Sequence, residues 1–137
     1  MKISTKGRYG LMLLVDLAAN ESSGEPISLK SIAERQGLSD HYLEQLIAPL
    51  RNLGLVRSVR GARGGYVLDR SSSEIRISEV LSTLEGPITL VDEDIEDGLG
   101  DFWDRLQGSI LAVLNSTTLQ DLVEIREKST GNFMYYI

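Results

Sequence analysis

Residues 28–46 read Ser28-Leu29-Lys30-Ser31-Ile32-Ala33-Glu34-Arg35-Gln36-Gly37-Leu38-Ser39-Asp40-His41-Tyr42-Leu43-Glu44-Gln45-Leu46, and this stretch decides the fold. Ser28 is placed to accept from the free amides that open a helix over residues 29–36, and Gly37 stands where that helix needs a left-handed residue to end. Ser39 then caps a second helix. It carries Leu43, Leu46, Ile47 and Leu50 on one face and leaves Asp40, His41, Glu44, Gln45 and Arg51 on the other. Two helices joined by a three-residue turn containing a glycine form a helix-turn-helix.

Working outward, Pro49 cannot donate to the Gln45 carbonyl, so the second helix is expected to bend or end close by, with its straight part before Pro49. Gly54 follows as a stop. Residues 55–59 and 66–68 read as short strands flanking Arg60-Gly61-Ala62-Arg63-Gly64-Gly65. A hairpin with an arginine-bearing tip directly after a helix-turn-helix makes a winged helix, whose wing offers Arg60 and Arg63 to the minor groove or to phosphates. On the N-terminal side, Ser4 or Thr5 can cap a scaffold helix rich in apolar residues (Tyr9, Met12, Leu13, Leu17) that stops near Asn20-Glu21-Ser22-Ser23-Gly24.

On the C-terminal side, Ser78 is expected to cap a short helix over residues 79–84 closed by Gly86-Pro87, with the core of the wing domain finishing there. Residues 92–101 are acidic. From Asp101, Trp103, Leu106, Ile110 and Val113 recur at helical spacing, and Phe102, Leu111 and Leu114 widen the stripe beyond what an exposed helix tolerates. That stripe must bury itself against something, and a twofold dimer is the expected cover. Thr117 with Gln120 forms a capping-box pattern for a last helix through Leu119, Leu122, Val123 and Ile125. The fold class expected is mainly α, a winged helix-turn-helix with a small β-hairpin wing plus a C-terminal dimerisation helix. The expected divisions are a winged-helix DNA-binding domain over residues 1–90, an acidic linker over 91–100, dimerisation and C-terminal helices over 101–128, and a partner-binding tail over 129–137.

Composition limits the chemistry. A chain of 137 residues, 42% apolar and 25% charged, is one globular domain's worth. The apolar run Leu11 to Val15 is cut by Asp16, too short for a spanning helix or a signal peptide, so a cytoplasmic, unprocessed chain without membrane contact is expected. With no cysteine there is no disulfide, thiolate zinc site, iron–sulfur ligation or thiol catalysis, and one histidine leaves little for a histidine metal site or triad. No nucleophile–base pair is discernible, so an enzyme is not expected. The net charge of −6 conceals two opposite parts. Residues 1–70 hold ten Lys/Arg against seven acids, net +3, whereas residues 71–137 hold four against thirteen, net −9. This split suits a nucleic-acid-facing N-terminal part joined to an acidic part with another task, although uneven surface charge alone gives the same pattern.

Major-groove reading needs short polar side chains at the start of a recognition helix, and Ser39, His41, Tyr42 and Gln45 fit. Glu44 can accept from a cytosine amino group or can be a structural acid that orients an arginine. His41 can equally be a plain exposed helix residue. Lys6, Arg8 and Arg51 join Arg60 and Arg63 as the cations of the expected DNA-binding set. The glycines around Arg63 lack the Lys-Ser/Thr of a phosphate-binding loop and read as turn residues. Asp92-Glu93-Asp94-Ile95-Glu96-Asp97 fails as a calcium loop, having Asp97 where glycine belongs and Trp103 where glutamate belongs. It reads as a solvated linker. No metal or cofactor is expected. The apolar end Phe133-Met134-Tyr135-Tyr136-Ile137 has two readings, docking on the protein's own surface or capture of its terminal carboxylate in another protein's pocket.

Three motifs, Lys6-Gly7-Arg8-Tyr9-Gly10, Leu38-Ser39-Asp40-His41-Tyr42-Leu43-Glu44-Gln45-Leu46 and Val59-Arg60-Gly61-Ala62-Arg63-Gly64-Gly65-Tyr66, resemble in order and spacing the Rrf-type winged-helix family of bacterial repressors. Leu84-Glu85-Gly86-Pro87-Ile88, Ser116-Thr117-Thr118-Leu119 and Met134-Tyr135-Tyr136-Ile137 are similar to its cysteine-metabolism branch. The resemblance implies recognition positions at Ser39, His41, Tyr42, Glu44 and Gln45, a wing arginine at Arg60, and a dimerisation helix from Trp103 to Leu114. Cluster-bearing members carry three cysteines after the wing domain, where this chain has its acidic segment. The resemblance implies instead a homodimeric repressor of cysteine and sulfur genes on operator DNA. Its partner would be cysteine synthase, bound through Met134, Tyr135, Tyr136 and Ile137, with O-acetylserine competing for the same site. The other function carried forward is an interaction protein that mainly binds or modulates that synthase.

Overall fold

The computed structural model describes residues 2–92 and 96–135, with residues 131–135 as backbone only. The elements in order are α1 (Thr5–Ala19), a 3-10 turn (Glu21–Ser23), α2 (Leu29–Gln36), α3 (Asp40–Asn52), β1 (Val56–Val59), β2 (Gly65–Leu68), α4 (Ile77–Glu85), α5 (Gly100–Ser116) and α6 (Leu119–Tyr135). The fold is mainly helical with one antiparallel hairpin, as the sequence predicts.

Serines start the first three helices. Ser4 Oγ accepts from the Gly7 amide, Ser28 Oγ from Ser31 and Ser39 Oγ from Tyr42, each at 3.1 Å. Ser4 also donates through its amide and hydroxyl to the Glu85 carboxylate, at 2.9 and 2.5 Å, which ties the start of α1 to the end of α4. The two glycines of the first motif explain how closely these helices approach. A Cβ on Gly7 would overlap Glu85 Oε1, and one on Gly10 would overlap Leu84 Cδ1.

Leu43, Leu46, Ile47 and Leu50 of α3 are buried with Leu13, Leu14 and Leu17 of α1 and Val80, Leu81 and Leu84 of α4. Pro49 lies in the last turn of α3, so the helix runs three residues beyond it to Asn52. In the wing, Val56 pairs with Leu68 and Val59 with Gly65. A bridge that the sequence reading lacks joins Ile27 to Tyr66 through two backbone hydrogen bonds, of 3.0 and 2.8 Å, and seats the wing against the chain entering α2.

Three expectations are corrected beyond the wing. Ser78 does not cap α4, because the helix begins at Ile77 and its amide donates to the Thr117 carbonyl at 2.9 Å, a partner supplied by distant chain. The reciprocal capping box of α6 lies one residue later than expected. Thr118 Oγ1 accepts from the Asp121 amide at 3.1 Å while Asp121 accepts from the Thr118 amide at 2.9 Å, and Thr117 donates instead to the Val113 carbonyl at 2.6 Å. Nor does the core finish at Gly86-Pro87. Leu119 is 0% exposed within it, and Leu114, Leu122 and Val123 pack against it. α6 continues through residues 129–135, so the backbone of the expected tail is helical as far as Tyr135.

Candidate nucleic-acid interface

Capping by Ser39 fixes the direction of the first turn of α3, and its apolar face is held in the core, so the opposite face has one orientation. His41, Glu44, Gln45 and Arg51 are exposed there. Gln45 Nε2 lies 3.2 Å from His41 Nε2, a pairing one helical turn apart that leaves the remaining amide atoms of Gln45 outward. Glu44 makes no ion pair among the described residues, which removes support for its role as an arginine-orienting acid. Arg51 follows Glu44 by seven residues, about 10 Å along the same face of the helix. Ser39 is engaged as the cap, and Tyr42 is half-buried with its ring edge-on to Tyr9 at 6.2 Å, so these two shape the helix start as well as bordering its exposed face.

Arg60 and Arg63 are exposed at the wing tip and form no ion pair among the described residues. Gly61, at φ +120°, turns the tip, and a Cβ on Gly64 would overlap the Val59 carbonyl, so both glycines are turn residues as expected. Lys6 is exposed on α1. Arg8 is exposed too, but it lines a groove with Leu11, Met12, Val15, Leu122 and Arg126, on the side of α1 that faces α6. Two residues absent from the sequence reading join the wing arginine: Ser31 and Arg35 of α2 line one cleft with Arg63. Their signal was spacing, since residues four apart share a helix face.

The acidic part stands on other elements. Asp92, Glu96 and Asp97 are exposed, while Glu93, Asp94 and Ile95 lie outside the described residues. Asp97 accepts from the Leu99 amide at 2.9 Å and from the Trp103 indole at 3.1 Å, and these donors, Leu99 first, hold its carboxyl below the usual carboxylate range. No residue of α5 is buried; Phe102 is 52%, Leu106 39% and Val113 63% exposed, with Trp103 and Ile110 half-buried. Tyr136 and Ile137 lie outside the described residues, as do the side chains of Met134 and Tyr135. Among the described residues no helix is long and apolar enough to cross a membrane.

A helix-turn-helix whose second helix has a polar outer face, followed by a hairpin whose tip arginines form no ion pair among the described residues, is the arrangement of a winged-helix transcriptional regulator. The chain belongs to the Rrf2 family, described as iron-dependent transcriptional regulators, which matches residues 3–125. It is 49% identical to the HTH-type transcriptional regulator CymR of Bacillus subtilis (strain 168), over 100% of both chains. It is 38% identical to the regulator IscR of Cereibacter sphaeroides, over 90% of this chain and 88% of that one. The solved structure of CymR, described as the global cysteine regulator of B. subtilis, superposes with a TM-score of 0.84 at 50% identity, covering 91% of this chain and 98% of the other. These relatives are regulators and not enzymes, in agreement with the sequence reading.

The family's description implies iron, and the residues present do not fit an iron centre. The sequence contains no cysteine, and its one imidazole, His41, stands on the exposed face of α3. Among the described residues no three His, Cys, Asp or Glu side chains gather to hold a metal ion.

Proposed function

We propose that this chain is a homodimeric repressor of cysteine and sulfur metabolism genes, that it reads operator DNA with α3 and the wing, and that it senses sulfur status by binding cysteine synthase. The observation that carries the reading is its 49% identity to CymR along the whole of both chains, joined to an α3 face that presents His41, Glu44 and Gln45 to solvent.

DNA recognition divides by chemistry. Gln45 can pair bidentately with adenine, Glu44 can accept from cytosine, and His41 adds a ring nitrogen, whereas Arg51, Arg60, Arg63 and Lys6 supply charge to phosphates or the minor groove. Arg8, a cation of the same expected set, lines the groove between α1 and α6.

Dimerisation is supported by α5. A 17-residue helix with no buried residue carries Trp103, Leu106, Ile110 and Val113 at successive spacings of three, four and three, the seam of a helix pair. Full burial of a large apolar side chain gains about 1.5 to 3 kcal/mol, and these residues, already partly covered, gain a fraction of that each under a second copy.

The synthase interaction rests on the resemblance of Met134-Tyr135-Tyr136-Ile137 and places the free carboxylate of Ile137 in the enzyme's pocket. The enzyme's cofactor would stay with the enzyme. The test is calorimetric titration of cysteine synthase with the full chain, a chain lacking Ile137 and a C-terminal amide. Binding by the full chain alone, reversed by O-acetylserine, is expected. Equal affinity of all three overturns the tail assignment, and no binding by any overturns the synthase partnership.

A further inference from the structure

The cleft between α2 and the wing tip is not used by base reading, yet two arginines line it. Its volume is about 560 Å³, and its lining includes Ser28, Ser31 and Arg35 on one side and Ala62, Arg63 and Gly64 on the other. No carboxylate lines it. Arg35 and Arg63 are exposed and form no ion pair among the described residues. The Ser28 hydroxyl is engaged by the Ser31 amide, whereas the Ser31 hydroxyl has no hydrogen bond among the described residues.

The two walls are held together by backbone. The Ile27–Tyr66 bridge joins the strand beneath the wing tip to the chain that enters α2. A Cβ on Gly65 would overlap the Ile27 carbonyl, so the approach is as close as a backbone allows. The backbone therefore sets the two walls side by side, with Arg35 and the Ser31 hydroxyl on one and Arg63 on the other.

We propose that this cleft holds one strand of duplex DNA by its phosphodiesters, with Arg35 and Arg63 as the charged contacts from opposite walls and Ser31 as a hydroxyl donor. The inference rests on the DNA-binding reading above and adds α2 to it. Both arginines stand in solvent at the edges of an open cleft, which suits a continuous polyanion passing between them better than a small anion enclosed on all sides. Such contacts fix register and strength and carry no sequence information.

The test is the salt dependence of binding to a mixed-sequence duplex. The slope of log K against log salt is expected to flatten by about one unit for Arg35→Gln and by about two for Arg35→Gln with Arg63→Gln, because each phosphate neutralised contributes about 0.9. Arg35→Lys is expected to keep the slope, since the charge remains. Arg105→Gln, a charge loss on α5, is expected to leave it unchanged.

An unchanged slope for Arg35→Gln, with duplex binding intact, overturns the inference and leaves the DNA reading standing. So does equal flattening by Arg105→Gln, which assigns the effect to net charge. Loss of inorganic phosphate binding by Arg35→Gln with an unaltered duplex slope makes the cleft a small-anion site and overturns it likewise. Failure of the wild-type protein to bind duplex at all overturns both.

Discussion

Asp16 and Arg126 stand 110 residues apart in sequence and meet at 2.8 Å, with the Asp16 side chain 7% exposed and that of Arg126 43%. The second carboxylate oxygen of Asp16 accepts from Gln36 Nε2 at 2.7 Å. Three helices therefore share one buried charge: α1 carries it, α2 of the helix-turn-helix donates from its last residue, and α6 supplies the counter-ion. Gln36 Oε1 is itself buried without a hydrogen-bond partner among the described residues, so this polar cluster contains one acceptor unmet by them. α6 is thereby fixed relative to the DNA-facing unit.

The two halves of the pair are not equivalent, and their variants should rank accordingly. Arg126→Met leaves a buried carboxylate with only the Gln36 amide and is expected to cost about 2 kcal/mol, less than a fully buried pair because Arg126 is partly solvated. Asp16→Asn keeps an acceptor and lets Arg126 turn to water, so about 1 kcal/mol is expected. In urea unfolding the double variant should lose less than the two single losses together. Additive losses would show that the pair does not couple α1 to α6.

Gln45 is the test of base reading. With an operator recovered by binding-site selection, Gln45→Ala is expected to cost about 1 to 3 kcal/mol on that site and little on mixed-sequence duplex, as read by fluorescence anisotropy. The same assay should show Arg60→Ala weakening both duplexes. Equal loss on both for Gln45→Ala would make Gln45 a positioning contact.

What was legible in the sequence was local. Ser28, Gly37 and Ser39 act on residues within one turn, so the helix-turn-helix could be placed from the chain alone, and the arginines of the wing followed from turn chemistry. The misplaced caps had distant causes. Ile77 takes its partner from Thr117, and Thr118 wins the capping box because Leu119 must enter the core. Asp16 reads in sequence only as a break in an apolar run, because both partners lie on other helices. Arg35 has the same kind of cause: the wing that forms the other wall of its cleft is joined to α2 by the Ile27–Tyr66 bridge, a pairing between segments distant in the chain.

Asp97 offers a pH test confined to the start of α5. Its carboxyl is held below the usual range by the Leu99 amide first and the Trp103 indole second. A depressed folded pKa means that the contacts are fully present above the unfolded value and are lost as pH falls through the folded one. Trp103 is the sole tryptophan, so its emission reports the site directly. Emission is expected to stay constant through the ordinary carboxylate range and to shift only below it, with helical circular dichroism unchanged, and Asp97→Asn should lack that transition. A shift inside the ordinary range, shared by Asp97→Asn, would assign it to other carboxylates.

The apolar face of α5 is the largest debt the single chain leaves. Leu106 and Ile110 stand four residues apart on it, at the middle of the stripe running from Trp103 to Val113. If a second copy covers this face, Leu106→Glu with Ile110→Glu places four carboxylates in the twofold contact, two from each copy. Burying them unpaired costs several kcal/mol. The variant is expected to sediment as a monomer, to keep its helical content, and to bind duplex weakly, because one recognition helix then acts alone in place of two linked by symmetry. Sedimentation velocity at micromolar concentration decides the matter: a monomeric wild type, or a double variant that still sediments as a dimer, would move the contact off α5.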